Sequence, residues 1–130
     1  MDNAMKAILD AAREYGFFQH RADVADYDWT TADFTPLGVW HDLDLTSIVP
    51  EHAHAVLCRA VIQAYYIGQY FQIRRKGYTQ GKIMSAVDVS VAMAFERQDM
   101  VCGIGPDRII QGWGQANLNL IYLVVKGWWF

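Results

Sequence analysis

Charge and cysteine are both scarce in this chain. Charged residues are 19% of the 130 positions and hydrophobic ones 53%. That balance excludes a disordered tail and calls for a packed core, which a chain this long can bury as one domain, 1–130. Two cysteines, Cys58 and Cys102, are too few for the disulfide framework of a small secreted scaffold, so two buried thiols are expected in place of a bridge. No uninterrupted apolar run approaches the ~18 residues of a bilayer-spanning helix. The nearest stretch, 109–130, is broken by Gln111, Gly112, Gly114, Gln115, Asn117, Asn119 and Lys126, and no membrane span is expected. Residues 1–16 carry no basic-then-apolar signal pattern and no small-residue cleavage site, so the expected location is cytoplasmic. Phosphate loops, dinucleotide fingerprints and a Gly-x-Ser-x-Gly elbow are missing as well; Gly103-Ile104-Gly105-Pro106 is only a fragment of a glycine loop. No cofactor is expected.

Glycine is present at telling places. In Gly16-Phe17, Gly77-Tyr78, Gly103-Ile104 and Gly127-Trp128 a glycine precedes a large apolar residue, the pattern of a left-handed helix stop whose next side chain folds back. Lys76 and Lys126 add cations where a helix dipole favours them. Helices are accordingly expected over 3–15, capped by Asp2, over 50–76, begun by Pro50-Glu51, over 82–102, and over 108–126, begun by Gly105-Pro106-Asp107. The second would present Leu57, Cys58, Val61, Ala64, Tyr65, Gly68 and Phe71 on one face. The expected fold is therefore all-α: a compact four-helix bundle with an irregular acidic, aromatic insertion at about 17–49, where Pro36-Leu37-Gly38 marks a turn. The alternative is α+β with strands within about 84–126. Val87, Val89, Val91, Met93 and Phe95 alternate with smaller or polar residues, and Leu118–Val125 also reads as a buried strand.

The charge is unevenly placed. Residues 1–57 hold ten carboxylates and three cations, residues 58–130 eight cations and four carboxylates. Within the acidic half, Asp23, Asp26, Asp28, Asp33, Asp42 and Asp44 alternate with Tyr27, Trp29, Phe34 and Trp40, uninterrupted by Lys or Arg. Rigid aromatics supply interface hot spots and acids steer a basic partner toward them. These ten residues are the candidate partner-binding set, and the expected function is a small protein-interaction module, such as an inhibitor or immunity-type protein, that binds a basic protein. Trp128, Trp129 and Phe130 form a second candidate surface, for self-association into a homo-oligomer, because aromatics are unusual at a frayed chain end.

A different class, a small metal-dependent or acid–base enzyme, rests on His41 beside Asp42 and Asp44, and on Glu51, His54 and Cys58, which a helix would stack on one face. No nucleophile with diagnostic neighbours accompanies them, and no catalytic or metal-ligating set is assigned. Arg74-Arg75-Lys76 with Tyr78 and Lys82 is a basic, aromatic patch. A pI of about 5.7 argues against nucleic acid as the partner.

Overall fold

The computed structural model describes residues 2–6, 17–22, 24, 26–79 and 85–130. Among the described residues the strands are β1 Phe18–His20, β2 His41–Asp44, β3 Ala55–Ala64, β4 Tyr70–Arg75, β5 Ser85–Asp88, β6 Glu96–Gly103, β7 Ile109–Gly114 and β8 Leu118–Trp129. They form two antiparallel sheets, ordered β1-β8-β3-β6 and β2-β7-β4-β5. Only β4 and β5 follow one another within a sheet; every other connection crosses between sheets. That is the strand order of a jelly roll, whose two sheets bury their facing sides against each other.

The four-helix, all-α expectation is thereby overturned. Residues 50–76 form a turn followed by β3 and β4, 85–103 form β5 and β6, and 108–126 fall in β7 and β8. Residues 17–49 are not an insertion between helices, since they supply β1, β2 and a 3-10 turn at Thr31–Phe34. Of the helix expected over 3–15, only 2–6 lie among the described residues. Positions 3–6 are helical, and Asp2 Oδ1 accepts the Met5 N–H at 2.7 Å as a cap does.

The reason for the miss is burial. Along β3 the side chains of Val56, Cys58, Ala60, Ile62 and Ala64 all point inward, a period of two. Val61, on the opposite face, is buried as well, opposite Tyr122 of β8 and Arg97 of β6. A central strand whose outward face also carries apolar residues, here Ala55, Leu57 and Val61, reads as a nearly continuous apolar run, which fits a helical period as well as a strand's. Among the described glycines of that pattern, Gly77 and Gly103 stand at strand ends and Gly127 lies within β8, while Gly16 falls outside the described residues. Gly77, with φ 83, is left-handed and Tyr78 does fold back, its hydroxyl accepting from Arg75 Nη1 at 2.9 Å, but the element it closes is β4.

The core is continuous between the sheets, with Leu43, Leu45, Ile62, Phe71, Ile73, Ile110, Ile121 and Leu123 all essentially inaccessible. Phe34, carried by the 3-10 turn, plugs one end against Phe71 at a centroid separation of 5.1 Å. Both cysteines are buried free thiols, as expected. Burial raises both pKa values, that of Cys102 to about 12.

Candidate functional site

Several residues of the acidic, aromatic segment are hydrogen-bonded within the chain while staying exposed. Asp23 lies outside the described residues. Asp28 Oδ2 accepts Arg21 Nη1 at 2.7 Å and the Val125 N–H at 2.8 Å, tying the chain before the 3-10 turn to the edge of β8. Asp33 Oδ2 accepts the Thr30 N–H and closes the 3-10 turn. Asp42 accepts from Lys76 Nζ and Gln111 Nε2, both at 2.8 Å, and Asp44 accepts the Thr46 N–H at 2.9 Å. Phe34 is inaccessible, Trp29 is half-buried against the core, and Trp40 lies beneath the Arg74 guanidinium, 3.8 Å from its ring centroid. Asp26, Asp33, Asp42 and Asp44 remain exposed, as does Tyr27, whose ring stacks on Tyr122 at 4.8 Å. The segment does not form one face: Asp26 and Tyr27 run beside β8 in the first sheet, whereas Asp42 and Asp44 project from β2 at the edge of the second.

Three hydrogen-bonded carboxyls contribute to the response to acid. Hydrogen bonds from Lys76 and then Gln111 hold the Asp42 carboxyl below its ordinary range, Arg59 and Lys126 do so for Asp99, and Ser90 for Glu96. A carboxyl depressed in the folded chain contributes stability that is complete above its unfolded pKa and is lost as pH falls through the lower folded value. Urea midpoints should therefore stay level from pH 7 to about 5 and decline below about 4. Asp99→Asn should make that acid limb shallower. A wild-type decline already complete by pH 5 would show that other groups govern the response.

The terminal aromatics are occupied within the domain. Trp128 is buried, opposite Val56 of β3 and Gln19 of β1, while Trp129 pairs with Phe18 and Ala55. Phe130 stacks on Phe17 at 6.4 Å.

Of the residues of the enzyme reading, Glu51 and His54 line one cleft, and His41 and Cys58 do not line it. His41 Nε2 donates to the Pro36 carbonyl at 2.7 Å. Glu51 and His54 are exposed, while Cys58 faces the core. At about 3.3 Å per residue a strand carries Cys58 roughly 13 Å beyond His54. The one-turn stacking that joined them needed a helix. Among the described residues no three His, Cys, Asp or Glu side chains converge as a metal site.

A different surface emerges at the end of the sandwich where β3 turns into β4 and β5 into β6. Tyr65, Tyr66, Ile67, Val91, Met93 and Phe95 are between 49% and 67% exposed. Two loops carry them, and the loops are bonded to one another and to the strand ends. Gly68 N–H donates to Val89 O at 2.9 Å, Val89 N–H to Gln69 O and Met93 N–H to Ala64 O at 2.8 Å each, and Gln63 Nε2 to Met93 O at 2.7 Å. Gly68 and Met93 are both left-handed, with φ 84 and 67, so each loop turns sharply and holds its apolar side chains outward. The Ser90 hydroxyl donates to Glu96 at 2.6 Å and closes the second loop. The sequence contained one signal for this surface: neither 60–73 nor 89–95 includes a charged residue.

No helix among the described residues is long and apolar enough to cross a membrane. Family models, curated proteins and solved structures contain no match to this chain.

Proposed function

We propose that this chain is a protein-interaction module and that it docks through the paired apolar loops 65–67 and 91–95. The observation that carries the reading is six large apolar side chains presented together by two mutually bonded loops. Isolated exposed apolar residues are ordinary, but a joined patch of this kind marks an interaction surface. Tyr and Phe anchors of limited flexibility suit the centre of an interface. Asp88 and Glu96 stand at the margin, and Glu96 is held ionised by Ser90. The partner that fits is a protein with an apolar recess bordered by basic groups, which keeps the basic partner inferred from charge but moves the contact away from residues 23–44. Two reduced, buried thiols suit a reducing compartment such as the cytoplasm.

The test is to capture a partner with the wild-type chain, purify it, and measure binding to variants. Ile67→Ser and Phe95→Ser should each weaken the complex by about 2 kcal/mol, roughly thirtyfold, without loss of fold. Asp88→Lys should slow association and reduce its dependence on salt. Binding that ignores both loop substitutions, or a wild-type chain that instead floats with neutral lipid vesicles, would overturn the proposal.

A further inference from the structure

At the opposite end of the sandwich Arg108 separates two clefts. One, of about 430 Å3, lies beside Gln19, Thr46, Ile48 and Trp128. The other, of about 340 Å3, lies beside Glu51, His52 and His54. Among the described residues three buried side-chain polar atoms have no hydrogen-bond partner, and two of them, Arg108 Nε and Trp128 Nε1, belong to residues lining the first cleft. Both are donors, so what they lack is an acceptor. Native folds retain few such atoms, because a buried donor loses its water without gaining a partner.

The surroundings narrow the class of acceptor. Arg108 Nη1 is committed to the Val49 carbonyl at 2.8 Å and the Thr46 carbonyl at 3.3 Å. None of the salt bridges among the described residues involves this guanidinium, and Asp44, close enough to feel its charge, is bonded to Thr46 instead. The Nε–Nη2 edge, which grips a carboxylate with two parallel bonds, is left over. Trp128 is 7% exposed, so its indole N–H is fixed in place by the core. The backbone at this end is strained as well: Arg108 has φ 54 and His52 has φ 72, left-handed values that concentrate where a fold holds residues for binding.

We infer that the cleft between Arg108 and Trp128 binds a small organic carboxylate, its oxygens taken by the Arg108 Nε–Nη2 edge and the Trp128 indole N–H. The apolar body of the ligand lies against Trp128 and Ile48. Both donor nitrogens are closed to water, so entry requires the groups that cover them to shift aside. This site is independent of the docking loops, which lie at the other end of β3.

The experiment is a titration of the full chain labelled with nitrogen-15, reading the five tryptophan indole signals. Trp128 is assigned by the signal missing from Trp128→Phe. With sodium benzoate the Trp128 signal should move saturably, and sodium chloride or phosphate at equal ionic strength should leave it in place. Arg108→Lys, which keeps the charge but loses the fork, should weaken benzoate binding at least tenfold. A drift shared by all five indoles, an equal response to chloride or phosphate, or an affinity unchanged in Arg108→Lys would overturn the assignment. The wild-type titration decides the matter by itself if Arg108→Lys does not fold.

Discussion

Phe34→Ala is expected to lower folding stability by about 3–5 kcal/mol and the melting midpoint by roughly 10–20 °C. The ring is fully inaccessible, meets Phe71 edge-on at 5.1 Å, and lies so close to Gly112 that a Cβ there would come within 2.6 Å of it. Two strands from the second sheet therefore rest on one side chain that comes from a four-residue turn outside both sheets. The turn cannot easily follow the ring inward after truncation, because Asp33 fixes its start and the Thr31 side chain exchanges hydrogen bonds with Ile121. The cavity then stays open, which places the cost high in the range for aromatic truncations. Phe34→Leu should recover about half of the loss. A drop below about 1.5 kcal/mol in calorimetry or denaturant titration of Phe34→Ala would mean that the ring is not the plug described.

Gly127→Ala is expected to detach β1 from β8. An added Cβ would sit 2.5 Å from the Gln19 carbonyl oxygen and 2.5 Å from Phe18 Cζ. The phenyl ring has room to rotate, but the carbonyl is part of β1 and can yield only if the strand moves. This makes the change costlier than the ~1–3 kcal/mol of ordinary overpacking. Gly127 also adjoins a bulge, since Leu57 pairs with Gly127 while Cys58 pairs with Val125, leaving Lys126 without an opposite residue. The strand is therefore least able to adjust where the clash would occur. Hydrogen exchange reads the outcome: the Arg21 amide, which donates to Lys126 O at 2.9 Å, and the amides of β1 should lose protection while β3 and β6 keep theirs. Unchanged exchange at Arg21 would refute the prediction.

Parts of this architecture are legible in the residues. The alternation of Asp42 and Asp44 with Leu43 and Leu45 is that of a strand with one face in the core: Leu43 is buried within β2 and Leu45 just after it. Leu118–Val125 reads as a buried strand and lies within β8. The Pro36-Leu37-Gly38 turn is present, with Gly38 left-handed at φ 81. What the residues conceal is which period applies where apolar residues fall on both faces of a strand. Ala53–Ala64 is apolar at nearly every step, and Pro50-Glu51 opens a turn as readily as a helix. A left-handed glycine followed by a folded-back side chain says that an element ends; it does not say which kind.

The candidate surfaces were hidden for a different reason. Loops 65–67 and 91–95 are far apart in the chain and meet because β3 and β6 pair antiparallel, with Ile62 opposite Glu96. The aspartates of 23–44, by contrast, look like a surface in the sequence because their partners Arg21, Lys76 and Gln111 lie outside the segment. Charge in a sequence window records supply, not whether a cation from elsewhere has already claimed it.

The position of β8 between β1 and β3 has a consequence for synthesis on the ribosome. The first sheet takes one strand from each of four well-separated stretches, and its second member in spatial order is the last to be translated. β1 and β3 have no hydrogen-bonded ladder joining them until residues 118–129 have cleared the exit tunnel. Until then Val56, Cys58, Ala60 and Ile62 lack the neighbour that completes their sheet. A nascent chain stalled before Leu118 should be held by chaperones and cut readily by protease, and one released past Trp129 should become resistant in a single step.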